Sequence, residues 1–108
     1  MNKPLETSRA PNESELLSLV VPVFNERSML PLFFEHVLPI LASLDIRSEI
    51  VVVDDGSEDG SAEFVRTFIK RKSSIRLVKL SRNFGKEAAV TAGLEHAKGD
   101  AVIVLDAD

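Results

Sequence analysis

The feature that most constrains the fold is an alternation, from Leu16 onward, of short Val- and Ile-rich runs with longer amphipathic segments. The apolar runs are typical of buried strands and predict four of them, at residues 16–23, 49–55, 75–80 and 101–105. The segments between them predict three helices, at about residues 28–44, 61–72 and 86–98. Strands that alternate with helices are joined by right-handed βαβ crossovers, so the sequence predicts a three-layer α/β/α fold with a parallel sheet.

Single residues refine the helix predictions. Pro31 falls in the first turn of the first helix, where a missing N–H is tolerated, whereas Pro39 is expected to kink that helix. The third helix contains the small-residue stretch AAVTAG, which predicts close packing on the sheet or on a ligand. Gly99 follows this helix and is predicted to be its C-cap.

Length and composition limit the class of protein. A chain of 108 residues is enough for one domain, which we place at residues 15–108 after a polar tail at residues 1–14. The tail lacks the apolar stretch of a signal peptide, so we expect a cytoplasmic protein. The longest apolar segment is broken by prolines and charges, and we expect no transmembrane segment.

The charged and metal-binding side chains exclude other classes. The chain has no cysteine, which rules out disulfides and thiolate metal sites. A net charge of −4 provides no basic field for a nucleic-acid backbone, so we expect no nucleic-acid partner. A small phosphorylated molecule could still bind to a local basic patch.

Polar residues follow the end of every predicted strand. In a Rossmann-like parallel sheet, ligands bind beyond the carboxyl ends of the strands, at the point where the strand order reverses. Four clusters fall at that edge: Asn25 with Glu26, Asp54 with Asp55, Arg82 with Asn83, and Asp106 with Asp108. The sequence therefore predicts a ligand site there.

The first cluster belongs to the motif VPVFNE at residues 21–26. Pro22 and Phe24 could form a wall for a flat base, while Asn25 and Glu26 offer hydrogen bonds to a base or ribose. The alternative is a plain strand end followed by a polar loop, since proline gives up a ladder hydrogen bond.

The second cluster belongs to VDDGSEDGS at residues 53–61. A turn at Gly56 and a helix N-cap at Asp59 or Ser61 would explain most of this stretch without a ligand. That explanation does not cover Asp54, whose carboxylate at a strand end could accept a hydrogen bond from a nucleobase or a ribose. The spacing of the glycines is not GxGxxG, which argues against a nicotinamide site.

The third cluster lies in SRNFGKEAA, at the start of the third helix. Arg82 and Lys86 flank a glycine where the free N–H groups and dipole of the helix favour an anion, and a phosphate would fit there. A capping loop with two solvated cations is the alternative.

The fourth cluster is Asp106 and Asp108 at the end of the last strand. Both carboxylates could converge on one hard cation, Mg²⁺ or Mn²⁺, and leave room in its shell for a diphosphate. Two solvated turn acids are the alternative. A phosphotransferase of haloacid-dehalogenase type also uses such a pair, but usually on its first strand and with a Ser or Thr shortly after.

Taken together, the motifs VPVFNE, VVVDDGSEDGS and LSRNFGKEAAVTAGLEHAKGDAVIVLDAD resemble the nucleotide-sugar-binding half of a family 2 glycosyltransferase of GT-A fold. The resemblance covers residues 16–108. It is nearest to the polyprenyl-phosphate glycosyltransferases, which include dolichol-phosphate mannosyltransferase and the bactoprenol glucosyltransferases. It implies transfer of a sugar, with inversion, from a nucleotide diphosphate sugar to a polyprenyl phosphate at the cytoplasmic face of a membrane.

The resemblance also implies roles for individual residues. The residues that match Pro22, Phe24, Asn25 and Glu26 line the nucleotide pocket, and the acid that matches Asp54 contacts the nucleobase. Asp55 is also expected among the nucleotide-binding residues, and Arg82 and Lys86 lie near the phosphates. Asp106 and Asp108 match the DxD motif, in which the first acid contacts ribose or metal and the second is the metal ligand.

The chain departs from this family after Asp108, where an acceptor-binding half would normally follow. We therefore expect a truncated donor domain that transfers no sugar alone, with catalytic residues of the acceptor side unknown. A non-catalytic nucleotide-binding or assembly role is the alternative. The resemblance to the bactoprenol enzymes favours UDP, and an uncovered fourth strand predicts self-association into a homo-oligomer.

Overall fold

The computed structural model describes residues 15–108, so the predicted tail at residues 1–14 lies outside the described residues. All of the predicted strands and helices are present. In chain order they are β1 (Leu16–Val23), α1 (Leu30–Ala42), β2 (Arg47–Asp54), α2 (Ser61–Ile69), β3 (Ile75–Lys79), α3 (Lys86–His96) and β4 (Ala101–Val104). Pro31 lies in the first turn of α1, as predicted, and the kink at Pro39 stays a prediction.

The four strands form one parallel sheet in the order β3-β2-β1-β4. Successive strands step from β1 through β2 to β3 in one direction, and β4 then returns to the other side of β1. The strand order therefore reverses between β1 and β4, where parallel α/β sheets open a crevice for a ligand. The predicted fold class is confirmed.

The two faces of the sheet are covered by different helices. Alternate strand residues such as Leu19 and Val21 pack with Phe34 of α1 and Val65 of α2. On the opposite face, Val20, Val51 and Val53 pack against Ala89 of α3. The small residues of α3 do lie close to the sheet: a Cβ atom at Gly93 would collide with the side chain of Val20.

The predicted C-cap at Gly99 is wrong. Helix α3 ends at His96, and its cap residue is Ala97, in an extended conformation. Gly99 is instead the residue at which the chain passes β1, because a Cβ atom there would lie 2.5 Å from Ser18 Oγ and 2.8 Å from the carbonyl oxygen of Leu16. The chain must enter β4 beside β1 directly after the helix, and this close approach requires a residue without a side chain.

Strand β4 lies at an edge of the sheet, as expected, but it is not the buried strand that its apolar sequence suggests. Among the described strands it pairs only with β1, and Val102, Ile103 and Val104 are 39–46% exposed. Burial of a strand on both faces needs covering helices, and within residues 15–108 none covers β4. In the same part of the chain, no helix combines the length and the apolar character needed to cross a membrane.

A buried polar cluster, which the sequence did not reveal, joins three strands near their amino-terminal ends. Glu49 of β2 accepts hydrogen bonds from Ser18 Oγ of β1 (2.5 Å), from Arg76 Nη2 of β3 (3.0 Å) and from the backbone N–H of Lys98 (2.8 Å). Burial favours the neutral form of Glu49, but the hydrogen bonds from Lys98, Ser18 and Arg76 outweigh it and lower its pKa. The cluster holds the α3–β4 connection against the sheet, at the edge opposite the predicted site.

Candidate functional site

A cleft of about 300 Å³ opens at the carboxyl edge of the sheet, between the ends of β1 and β4 and the start of α3. Most of the predicted site residues line it together. These are Pro22, Phe24, Glu26, Asp55, Lys86, Asp106 and Asp108. Residues that are far apart in sequence meet here because parallel strands end at one edge. The cleft lies where the strand order reverses, as predicted.

Asn25 is the first predicted residue that does not line the cleft. Its backbone has a positive φ of 53°, a conformation that asparagine tolerates better than most residues. Its side-chain oxygen accepts a hydrogen bond from the N–H of Glu58 (2.9 Å), and its own N–H donates to Ser57 Oγ (2.8 Å). Asn25 therefore ties the loop after β1 to the loop after β2.

A second tie between these loops involves Asp59 and Ser61. The N–H of Glu26 donates to Ser61 Oγ (3.1 Å), and the N–H of Arg27 donates to Asp59 Oδ2 (3.0 Å). Neither acceptor is the N-cap of α2, because that position is Gly60, in the left-handed region. Asp59 and Ser61, which the sequence suggested as N-caps, instead connect the loop after β1 to the start of α2 and hold Glu26 at the cleft.

Asp55 is buried at the end of β2 and fastens the loop after β3. Its carboxylate accepts hydrogen bonds from the N–H groups of Phe84 (2.8 Å) and Gly85 (3.0 Å) and from Asn83 Nδ2 (3.1 Å). Gly56 allows the two loops to approach, since it has a φ of 81° and a Cβ atom there would lie 2.5 Å from the backbone nitrogen of Asn83.

Asp54 is buried, and it does not line the cleft. Its Oδ2 atom accepts a long hydrogen bond from the N–H of Ser57 (3.3 Å) and lies 3.7 Å from Lys79 Nζ. Its Oδ1 atom is buried and has no hydrogen-bond partner among residues 15–108. Of the two neighbouring acids, Asp55 rather than Asp54 faces the cleft, and a contact of Asp54 with a base stays a prediction.

The two predicted cations lie in different places. The guanidinium of Arg82 stacks 4.6 Å from the centre of the Phe84 ring, outside the lining of the cleft. Lys86 is the first residue of α3, and its Nζ atom lies 2.7 Å from Asp106 Oδ1. The hydrogen bond to Asp106 raises the pKa of Lys86, so this side chain is an ammonium at neutral pH.

Besides Asp55, whose carboxylate is bound by the loop of residues 83–85, three acids line the cleft: Glu26, Asp106 and Asp108. Burial raises the pKa of Glu26, and the negative charges of Asp108 and Asp106 raise it further. Between the two aspartates, Ala107 is buried in the core, which leaves the two acids on the cleft side. The cleft is therefore a region of negative potential that favours a cation.

The carboxylates suit a hard divalent cation in part. Within residues 15–108, no three His, Asp or Glu side chains lie close enough together to hold a metal ion by themselves. Asp106 and Asp108 supply oxygen donors of the kind that Mg²⁺ and Mn²⁺ prefer, and Mg²⁺ in particular is often bound by one or two carboxylates and the phosphates of a substrate. Two carboxylates fit such an ion only if a bound molecule supplies further oxygen ligands.

Sequence reasoning missed three residues of the lining: Val23, Gly85 and Ala89. Asn83 was expected at this edge beside Arg82, but no contact with the ligand was assigned to it. The three missed residues are apolar or lack a side chain, and only the packing of α3 on β1 brings them to the cleft.

Comparison with known proteins agrees with this geometry. The sequence profile described as Glycosyl transferase family 2 matches residues 18–108. An undecaprenyl-phosphate 4-deoxy-4-formamido-L-arabinose transferase of Pseudomonas savastanoi pv. phaseolicola is 46% identical over 99 residues, or 91% of this chain. The chain spans 29% of the length of that relative.

Solved structures show the same fold. A mannosyltransferase from Pyrobaculum calidifontis, in complex with GDP-Man and Mn²⁺, has a TM-score of 0.77 at 28% identity, over 98% of this chain and 31% of its own. S. aureus TarS in complex with UDP-GlcNAc has a TM-score of 0.70 at 28% identity, over 85% of this chain and 26% of its own. The fold is the parallel α/β part of a GT-A glycosyltransferase, and the chain belongs to glycosyltransferase family 2.

Proposed function

We propose that this chain forms the donor site of a polyprenyl-phosphate glycosyltransferase and binds a nucleotide diphosphate sugar in the cleft at the carboxyl edge. The observation that carries the proposal is that Glu26, Asp106, Asp108 and Lys86 line a single cleft at the reversal point of the sheet. Two of the solved relatives are complexes with GDP-Man and with UDP-GlcNAc.

The nucleoside would lie on the β1 side of the cleft. Pro22 and Phe24 supply an apolar wall there, and the side chain of Phe24 is 46% exposed, so its ring is free to stack on a base. Asp55 holds the loop of residues 83–85, which lines the cleft as well, and Asp106 would accept a hydrogen bond from a ribose hydroxyl. These contacts would orient the nucleotide with its diphosphate toward the start of α3.

The diphosphate would lie between Lys86 and Asp108. The ammonium of Lys86 and the amino-terminal end of α3 both attract phosphate oxygens. A bound Mg²⁺ or Mn²⁺, held by Asp108 and Asp106, would supply positive charge that stabilises the departing diphosphate. The apolar residues Val23 and Ala89 also line the cleft.

The reaction that this donor site serves is transfer to a polyprenyl phosphate with inversion. A phosphate oxygen of the acceptor forms the new bond to the anomeric carbon, while the bond from that carbon to the nucleotide diphosphate breaks. Because the acceptor phosphate is already anionic at neutral pH, no general base is needed to activate it. The undecaprenyl-phosphate transferase named above is the support for this acceptor class.

We also propose which nucleotide the donor carries, where the enzyme acts and that the chain self-associates. UDP is favoured as the nucleotide because the sequence resembles the bactoprenol enzymes, and the site of action is the cytoplasmic face of a membrane, where such lipid acceptors are used. The exposed edge of β4 supports self-association, because unpaired strand edges with apolar side chains pair with other chains.

Calorimetric titration of the chain with UDP, with and without Mn²⁺, tests the donor site. We expect Mn²⁺-dependent binding to wild type, its loss in Asp108→Ala, and no change in the control Asp45→Ala, which removes an exposed acid in the α1–β2 connection. Asp54→Ala tests the predicted base contact: weaker UDP binding by a chain that is still folded would support it. Absence of Mn²⁺-dependent UDP binding to wild type would overturn the donor-site proposal and leave an assembly role.

A further inference from the structure

The side chain of Lys86 occupies the place that the proposed function gives to a metal ion. Its ammonium lies 2.7 Å from Asp106 Oδ1, in the cleft that also contains Glu26 and Asp108. Among the described residues that line the cleft, Lys86 is the one cation facing these three carboxylates. The ammonium therefore neutralises part of the charge that would otherwise attract a divalent cation.

The ion pair between Lys86 and Asp106 is weak enough for Lys86 to exchange Asp106 for another partner. The side chain of Lys86 is 62% exposed and that of Asp106 is 50% exposed, and exposed ion pairs of this kind are weak. Lys86 is also the first residue of α3, so its flexible side chain is rooted at the helix end where a phosphate would bind. A rotation of this side chain can carry the ammonium from Asp106 to a phosphate oxygen.

We propose that Lys86 is a placeholder cation: it holds Asp106 in the free protein, a divalent cation replaces it there, and its ammonium then pairs with the diphosphate of the nucleotide. This inference rests on the proposed function and adds an exchange of partners by one residue. It makes metal and nucleotide depend on each other, because the nucleotide provides the new partner that draws Lys86 away from Asp106.

Two consequences can be measured. Mn²⁺ alone must compete with the ammonium for Asp106, so the free protein binds Mn²⁺ weakly. UDP draws Lys86 away from Asp106, so UDP increases the Mn²⁺ affinity of the wild type in two ways: its phosphates bind the ion, and the competing ammonium is removed. Removal of the ammonium should therefore tighten binding of Mn²⁺ alone and reduce the benefit that UDP gives.

The experiment measures free Mn²⁺ by electron paramagnetic resonance in titrations of wild type, Lys86→Met, Lys86→Arg and Lys98→Met. Loss of one positive charge within a few ångströms of a divalent ion predicts about tenfold tighter binding of Mn²⁺ alone by Lys86→Met. Lys86→Arg keeps the charge and should bind Mn²⁺ like wild type. Lys98→Met makes the same change in net charge at an exposed residue just before β4, on the opposite edge of the sheet, and should have no effect.

The outcomes separate this inference from the proposed function. Equal Mn²⁺ affinity in wild type and Lys86→Met, or an equal gain in Lys98→Met, would overturn the placeholder role even if UDP binds with Mn²⁺. Tighter Mn²⁺ binding in Lys86→Met without any UDP binding to wild type would support the competition for Asp106 and overturn the donor site. Because the predicted effect is a gain of binding, an unfolded variant cannot imitate it.

Discussion

Replacement of Asp55 by asparagine tests whether the main role of this acid is to hold the loop at residues 83–85 in place. In the structure, Oδ1 accepts from the N–H of Phe84, and Oδ2 accepts from the N–H of Gly85 and from Asn83 Nδ2. An asparagine side chain has the same shape, but one of its two positions becomes an NH₂ donor. The amide is more stable with its oxygen at the Oδ2 position, where two donors point, and its NH₂ group then faces the N–H of Phe84.

The cost follows from this arrangement. One hydrogen bond to a charged acceptor is lost, two others lose their charge assistance, and a half-buried N–H of Phe84 is left facing a donor. Hydrogen bonds to charged groups contribute about 1.5–3 kcal/mol each, so we expect Asp55→Asn to lower the free energy of unfolding by about 2–3 kcal/mol. In a domain of this size the melting temperature should fall by about 10–20 °C.

Urea unfolding followed by circular dichroism measures this change. The matched control is Glu58→Gln, which makes the same change of charge at an exposed position three residues away and should stay within about 0.5 kcal/mol of wild type. An Asp55→Asn chain as stable as the control would refute the fastening role. We also expect weaker UDP binding at temperatures where the variant is folded, because Asn83 and Gly85 line the cleft.

Three further changes test the fold around the site. Glu49→Gln should lower the free energy of unfolding by about 2–4 kcal/mol at neutral pH. Since the hydrogen bonds lower the pKa of Glu49, the stability that its carboxylate provides is lost as the pH falls through that lowered pKa. Urea unfolding across a pH series should therefore show the difference in stability between variant and wild type becoming smaller in acid. Gly93→Ala gains about 1 kcal/mol of helix propensity but forces a methyl group into Val20, so a net loss of about 1–2 kcal/mol is expected in thermal unfolding, and a stabilised variant would contradict the tight α3 packing. Ile103→Lys places a charge on the exposed β4 edge and should reduce self-association in sedimentation at high concentration, whereas a wild-type chain that stays monomeric would count against that edge.

The fold could be predicted from the sequence because its signals are local. Four apolar runs and three amphipathic segments fix the order of the elements, and parallel pairing brings their polar ends to one edge. The ends of the helices and strands were predicted less accurately. Gly99 has the sequence context of a helix cap, but its role is set by the close approach of Ser18 and Leu16, which belong to a strand far away in sequence.

The details of the site depended on contacts between loops. Asn25 and Arg82 are residue types that often bind ligands. In the structure, however, Asn25 accepts a hydrogen bond from the N–H of Glu58, and Arg82 stacks on Phe84. Nothing in the local sequence distinguishes these uses from contact with a nucleotide. The cluster around Glu49 was invisible for the same reason, since Ser18 is 31 residues away and Arg76 is 27 residues away.

We propose that a nucleotide diphosphate binds in the cleft at the carboxyl edge of the sheet. Amide proton–nitrogen correlation spectra of the labelled chain, recorded during titration with UDP and Mg²⁺, locate the binding site residue by residue. We predict that the shifts concentrate at residues 23–26, 83–86 and 106–108, while Ser18, Glu49 and Lys98 at the opposite edge stay unchanged. Shifts centred on that opposite edge, or no shifts at high UDP concentration, would contradict nucleotide binding in the cleft.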